Sequence, residues 1–296
     1  MTTFMSSGSY VNNTDAAFRA WSLAIHDAMI GAGFIQTTDT GQINFATVLK
    51  PTAVSTSAGY AMYRFADTLQ TTAPIFIKIE FGMGSTLDTT FGWRLGVATG
   101  TDGAGGIGGF LFIQTGWISQ AQSSYTGINN TWACHTAGVG WLAFHYESTS
   151  IGSMFGFAIS RTMDDAGAPS GEGISVYIKA ISSNQGTVSL LRFVPTPTVI
   201  LNQNASQSPC AFPFGLTDYK VGVDIQFFPH WTAAPKVRLN PYMFSYINAD
   251  LTHASPITTT VIDGTSRTYM PLAGQSIIFA GYGGTTSANS IAFVWQ

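Results

Sequence analysis

The chain has 296 residues, enough for one large domain or two ordinary ones with a sizeable core. Only 9% of it is charged, against about 25% in a typical globular protein, while 13% is aromatic and 32 residues are glycine. The net charge of -3, with 12 scattered Lys and Arg, provides no basic stripe for nucleic acid and no polybasic membrane anchor. Low charge with many aromatics points instead to surface buried against copies of the chain or another partner.

The start, "MTTFMSSGSYVNN", lacks a basic segment followed by an apolar one, so no secretion signal is expected. No apolar run reaches the roughly 18 residues of a membrane helix, and membrane insertion is not expected. The one convincing helix lies in "NNTDAAFRAWSLAIHDAMIGAGF". Asn13 or Thr14 can cap it, Asp15 complements its dipole, and Gly31 stands where a left-handed C-terminal residue belongs. Phe18, Trp21, Ile25 and Met29 form one apolar stripe, an assembly or docking face, while Asp15, Arg19, Ser22 and His26 form the opposite one. The stripe is satisfied equally by the protein's own sheet or by a neighbouring subunit; the short Gly31-Ala32 connection favours its own sheet.

After Gly33 the pattern becomes short strands and turns. "FIQTTDTGQINF" reads as a hairpin around Asp39-Thr40-Gly41, and "YAMYRF" and "IFIKIEF" come next, the latter with Ile75, Ile77, Ile79 and Phe81 on one face and Lys78 and Glu80 on the other. Further strands are read at "WRLGVAT", "FLFIQT", "GWLAFHY", "SMFGFAIS", "ISVYIKAI", "VSLLRFV", "KVGVDIQFF", "YMFSYI", "TTTVI", "SIIFAGY" and "IAFVW". Such spacing predicts a mainly β fold, an antiparallel β-sandwich of jelly-roll type with one N-terminal amphipathic helix. Residues 1–50 form a helix and hairpin segment and 51–296 the sandwich region, continuous with it or separate. Stretches 161–173 and 193–215 read as loops or boundaries.

The run "GTDGAGGIGGFLF" contains a literal G-x-G-x-x-G at Gly103, Gly105 and Gly108. That motif holds a pyrophosphate on the N-terminus of an adjoining helix, whereas the adjoining "FLFIQT" reads as a strand, so a turn is expected and no cofactor. Glu80, Glu147 and Glu172, with scattered Asp, offer no obvious glycosidase pair, and Asp164, Asp165 and Glu172 lack calcium-loop spacing. Cys134, His135 and His145 lack a fourth ligand and the paired spacing zinc requires. His230 and His253 belong to no triad and no G-x-S-x-G occurs, so neither catalytic nor metal-binding residues are assigned. Cys134 and Cys210 read as two buried thiols, with pairing left open. Trp117, Trp132, Trp141 and Trp231 fall in or near loops, where they can stack on sugar rings or anchor an interface; core packing uses the same residue types.

The segments "TDAAFRAWSLAIHDAM", "IQTTDTGQINFATVLKP", "GYAMYRFADTLQTTAPIFIKIEFG" and "GTDGAGG" resemble a family of virion structural proteins of tailed bacteriophages and prophages, most closely over residues 14–82. The resemblance implies a non-enzymatic tail-tip, baseplate or fibre-associated protein, assembled in the host cytoplasm with other virion proteins. It further implies a closed homo-oligomer, a trimer by preference. A capsid decoration protein is the structural alternative, and a receptor-binding module contacting host surface glycan or protein is the alternative of another class.

Overall fold

The computed structural model describes residues 2–8, 10, 14–84, 90–113, 117–122, 129–136, 138–146, 153–164, 166–179, 186–192, 198–204, 223–224, 243–247, 255–260, 266–272 and 289–295. The helix α1 (Asp15–Gly31) begins as its capping residues dictate: the Thr14 hydroxyl accepts the Ala17 N–H at 3.2 Å. Its end falls later than the sequence implies. Gly31 is still helical, and the left-handed residue is Gly33, at φ 94°, because Ala32 N–H still finds the Ala28 carbonyl. Gly31 serves another purpose, since the Phe4 ring lies against it so closely that a Cβ would clash.

Eighteen strands are described, in three antiparallel sheets. The helix-side sheet comprises β2 (Ile35–Gln36), β3 (Ser57–Arg64), β4 (Phe76–Met83), β5 (Thr90–Thr101) and β6 (Ile107–Ile113) in chain order, with β7 (Ile118–Gln122) also pairing β5. The central sheet starts at β1 (Thr2–Gly8) and continues through β8 (Asn129–Thr136), β9 (Val139–Tyr146), β10 (Ser153–Met163), β11 (Pro169–Lys179), β12 (Gly186–Arg192) and β13 (Thr198–Asn204). The C-terminal sheet has the order β14 (Val223–Asp224), β15 (Met243–Ile247), β18 (Asn289–Val294), β17 (Ser266–Leu272) and β16 (Ile257–Thr260). A turn element, η1 (Thr68–Thr71), connects β3 to β4.

Strand β4 follows the alternation of its sequence: Ile77, Ile79 and Phe81 are buried and Lys78 and Glu80 half-buried. Ile77, Ile79 and Phe81, with the α1 stripe and Leu142, Phe144, Phe157, Ile159, Ile174 and Val176 of the central sheet, form one core. The opposite face of the central sheet is covered as well. Trp141 stacks on Phe293 at 5.1 Å and donates its indole N–H to the Val294 carbonyl at 2.7 Å, and Tyr177 meets Phe293 at 6.1 Å. The central sheet therefore lies between two others.

Several expectations change. The 34–45 segment is not a hairpin. Its turn forms, but only Ile35–Gln36 is strand; the returning arm runs along β3, with Ile43 N–H donating to the Tyr60 carbonyl at 2.8 Å. The Gln42 side chain acts as a surrogate peptide, accepting the Met62 N–H at 2.8 Å and donating to the Thr37 carbonyl at 2.8 Å, which removes the need for a second strand. Strands β1, β7, β8 and β13 fall where the sequence suggests loops or no element. Strand β1 pairs β8 along its length, and α1 packs into the common core. Most of "KVGVDIQFF" and all of "SIIFAGY" lie outside the described residues.

Candidate functional site

The apolar stripe of α1 is spent inside the molecule. Phe18, Trp21, Ile25 and Met29 are all buried, and Phe18 and Trp21 form an aromatic cluster with Phe81 and Phe91 at centroid separations of 5.2 to 5.8 Å. At about 1.5–3 kcal/mol per fully buried side chain, these four contribute on the order of 6–12 kcal/mol before entropy is subtracted. The polar stripe is also partly covered. Ser22 is buried with its hydroxyl donating to the Phe18 carbonyl at 2.9 Å, and His26 stacks on Phe45 and shares a 2.9 Å hydrogen bond with the Tyr63 hydroxyl. The cover is the segment after the turn: Arg19 donates to the Val48 carbonyl at 3.2 Å, and Lys50 N–H to the Asp15 carboxylate at 2.8 Å. Burial, against the pull of Asp27, lowers the pKa of His26.

Two of the four candidate interface tryptophans sit in strands rather than loops. Trp132 in β8 and Trp141 in β9 are buried between the central and C-terminal sheets, because a sheet covered on both faces places large side chains inward on each. Trp117 precedes β7; its indole donates to the Ser55 carbonyl at 3.0 Å and its ring carries the Arg94 guanidinium at 4.5 Å. Trp231 lies outside the described residues, as do Asp165, Glu147, Cys210, His230 and His253.

The glycine run is the β5–β6 turn. Asp102 accepts the Ala104 and Gly106 N–H groups at 2.8 Å each, so the donors that a phosphate would use are held by the turn's own carboxylate. Gly105, at φ 90°, lies under the Tyr60 ring, where a Cβ would clash. Thr40 N–H donates to the Gly103 carbonyl at 2.8 Å, and Tyr60 donates to the Thr40 carbonyl, so two loops are tied together. Asp39 anchors the knot through the Thr101 hydroxyl. Burial alone would raise its pKa, but hydrogen bonds from Thr101, Thr37 and the Gly105 backbone outweigh it and hold the carboxyl below its usual range.

The acidic stretch near residue 164 is likewise a turn, with Asp164 accepting the Ala168 N–H at 2.8 Å and Glu172 exposed on β11. Cys134 is a buried free thiol whose pKa burial pushes up to about 12. His135, beside it in sequence, points into the other layer between Phe34 and Phe65, and burial lowers its pKa to about 4 against the opposing pull of Asp67. Among the described residues no group of three or more His, Cys, Asp or Glu is placed to hold a metal, and no helix is long and apolar enough to cross a membrane.

Three further features emerge from the structure. Arg161 on β10, fully buried, donates from Nε to Asp67 at 2.6 Å, from Nη2 to the same carboxylate at 3.0 Å and from Nη1 to the Ala73 carbonyl at 2.7 Å, joining the β3–β4 connection to the central sheet. On the outer face of the helix-side sheet, Glu80 bridges Lys78, at 3.2 Å, and Arg94. Lys78 in turn lies 4.9 Å from the Tyr60 ring centroid. The third is an open edge. Strand β1 pairs with β8 alone among the described residues, its sequence TTFMSSG carries no charge and no proline, and Met5 is 65% exposed. Natural edge strands are usually blunted by lysine, proline or a bulge, and β1 contains neither lysine nor proline. No family model, curated protein or solved structure matches the chain.

Proposed function

We propose that the protein is a non-enzymatic structural component of a bacteriophage virion, associated with the tail tip, baseplate or fibre, that acts by assembling with copies of itself and with other virion proteins. The observation that carries the assembly half of this reading is the uncharged β1 edge with Met5 exposed beside it. The virion half rests on the sequence resemblance over residues 14–82. Strand β13, at the other end of the central sheet, is also free of charge in sequence, as TVILNQN. A closed ring joins β1 of one copy to β13 of the next, and six antiparallel steps between them make that joint parallel. The trimer belongs to this proposal. A twofold dimer would instead pair β1 with β1 in antiparallel fashion.

The β-sandwich description belongs here too. Its support is the shared core of the helix-side and central sheets; the chain-order succession of most strands favours a meander over a jelly roll. The buried positions of Trp132 and Trp141 weigh toward a scaffold over a receptor-binding module, while capsid decoration remains the structural alternative. Antibody labelling of the particle tests location directly. Label on the tail end supports the proposal, label over the head replaces it with decoration, and no label on intact or disrupted particles removes the virion reading.

A further inference from the structure

The outer face of the helix-side sheet carries a groove of about 360 Å³ beside the Lys78–Glu80–Arg94 cluster, at the lower end of the range occupied by small-ligand sites. Its composition is divided. Charged groups from β4 and β5 form one side, and Ile107 and Ile113 of β6 form the other. Gly96 lies between them; a Cβ there would come within 2.7 Å of the Ile107 Cδ1, so glycine permits Ile107 to lean across β5. Ile113 is 48% exposed.

The charges do not balance. Two cations share one carboxylate, giving the cluster Lys78 (+1), Arg94 (+1) and Glu80 (-1) a formal sum of +1. Both cations are held against aromatic rings, Lys78 on Tyr60 and Arg94 on Trp117, so they are positioned before a ligand arrives.

We propose that this groove binds a small carboxylate bearing a branched aliphatic tail. The carboxylate shares the Lys78 and Arg94 charges with Glu80, and the tail lies against Ile107 and Ile113. A monoanion is the species that neutralises the cluster, and an aliphatic group is the one whose burial on the isoleucine side is favourable. The site is independent of the virion reading and does not need the β1 edge.

The test is a backbone-amide NMR titration of the full chain with N-acetyl-leucine, against N-acetyl-leucinamide as the uncharged analogue of the same shape. The acid should saturate in roughly the millimolar range expected for so small a ligand, with the largest shifts at Lys78, Gly96 and Ile107. The amide should bind about tenfold more weakly, because it brings no charge to the cation pair. Lys78→Gln, which brings the cluster to zero net charge, should weaken the acid at least about fivefold, and Glu80→Gln, which removes the competing anion, should strengthen it. Ile113→Glu, at an exposed wall position, places a like charge beside the ligand and should abolish binding even if the Lys78 variant folds poorly. Equal affinity for acid and amide, saturable shifts centred elsewhere, weakening by Glu80→Gln, or no saturation at all would overturn the assignment.

Discussion

Removing the Asp67 carboxylate should be among the most damaging single changes to this fold. Arg161 is entirely buried and Asp67 nearly so, and the carboxylate takes two of the guanidinium's hydrogen bonds, with the Ala73 carbonyl taking another. Asp67→Ala leaves a buried charge with one neutral acceptor. Uncompensated charges of this kind cost about 3–5 kcal/mol, because neither water nor a partner replaces the lost bonds. The pair itself is not the source of a comparable net gain, since both ions were desolvated to form it. The double change Arg161→Met with Asp67→Leu should therefore return stability to within about 1 kcal/mol of the natural chain, or exceed it. Equilibrium urea unfolding of the three proteins, monitored by tryptophan fluorescence, measures both quantities. A loss under about 1 kcal/mol in Asp67→Ala would mean that the Arg161 charge reaches solvent, and the pair would no longer join the β3–β4 connection to the central sheet.

Trp21→Ala should cost about 3–5 kcal/mol in the same assay, and proportionally more than it weakens association, because the indole sits among Phe18, Phe81 and Phe91 of the same chain. Acid should destabilise the fold through His135, whose pKa falls from 6.5 to about 4: its contribution is complete above about pH 6.5, erodes as the unfolded chain takes up the proton, and has lost roughly 3 kcal/mol once the pH reaches about 4. His135→Gln should flatten that slope, and an unchanged profile would place the imidazole in contact with water. Gly105→Ala should cost about 1–3 kcal/mol, since it pairs a left-handed backbone angle with a collision against Tyr60; a neutral effect on melting would show that the turn relaxes freely.

What the sequence reveals depends on whether a feature is local. The α1 stripe and the alternation of β4 are periodic signals within one element, and both lead to the side chains found in the core. The glycine run is legible as a turn because strand chemistry comes directly after it. The central sheet is harder to read. It is covered on both faces, so β9 shows a near-continuous apolar run, while β8 is mostly polar in sequence and Trp132 beside Asn130 and Thr131 resembles a loop until Phe293 and Trp295 are seen to cover this face. Strand β1, with Thr, Ser and Gly, has almost no strand pattern of its own and is defined by its register with β8. Long-range pairs leave no trace at all: Asp67 and Arg161 are 94 positions apart. Lys78 and Glu80 are visible in the sequence as one polar face, but only the β4–β5 register opposes Glu80 to Arg94.

The central claim, that the chain assembles through the unguarded edge of its central sheet, is tested most directly by light scattering coupled to size exclusion, comparing the natural chain with Met5→Lys. Met5 is exposed, so a lysine there should change folding stability by less than about 0.5 kcal/mol while placing a charge on the pairing edge. Assembly through this edge predicts a closed oligomer for the natural chain at micromolar concentration, three times 31.5 kDa in the preferred arrangement, and a folded monomer for Met5→Lys. A natural chain that runs as a 31.5 kDa monomer, or a Met5→Lys oligomer of unchanged mass, would contradict it.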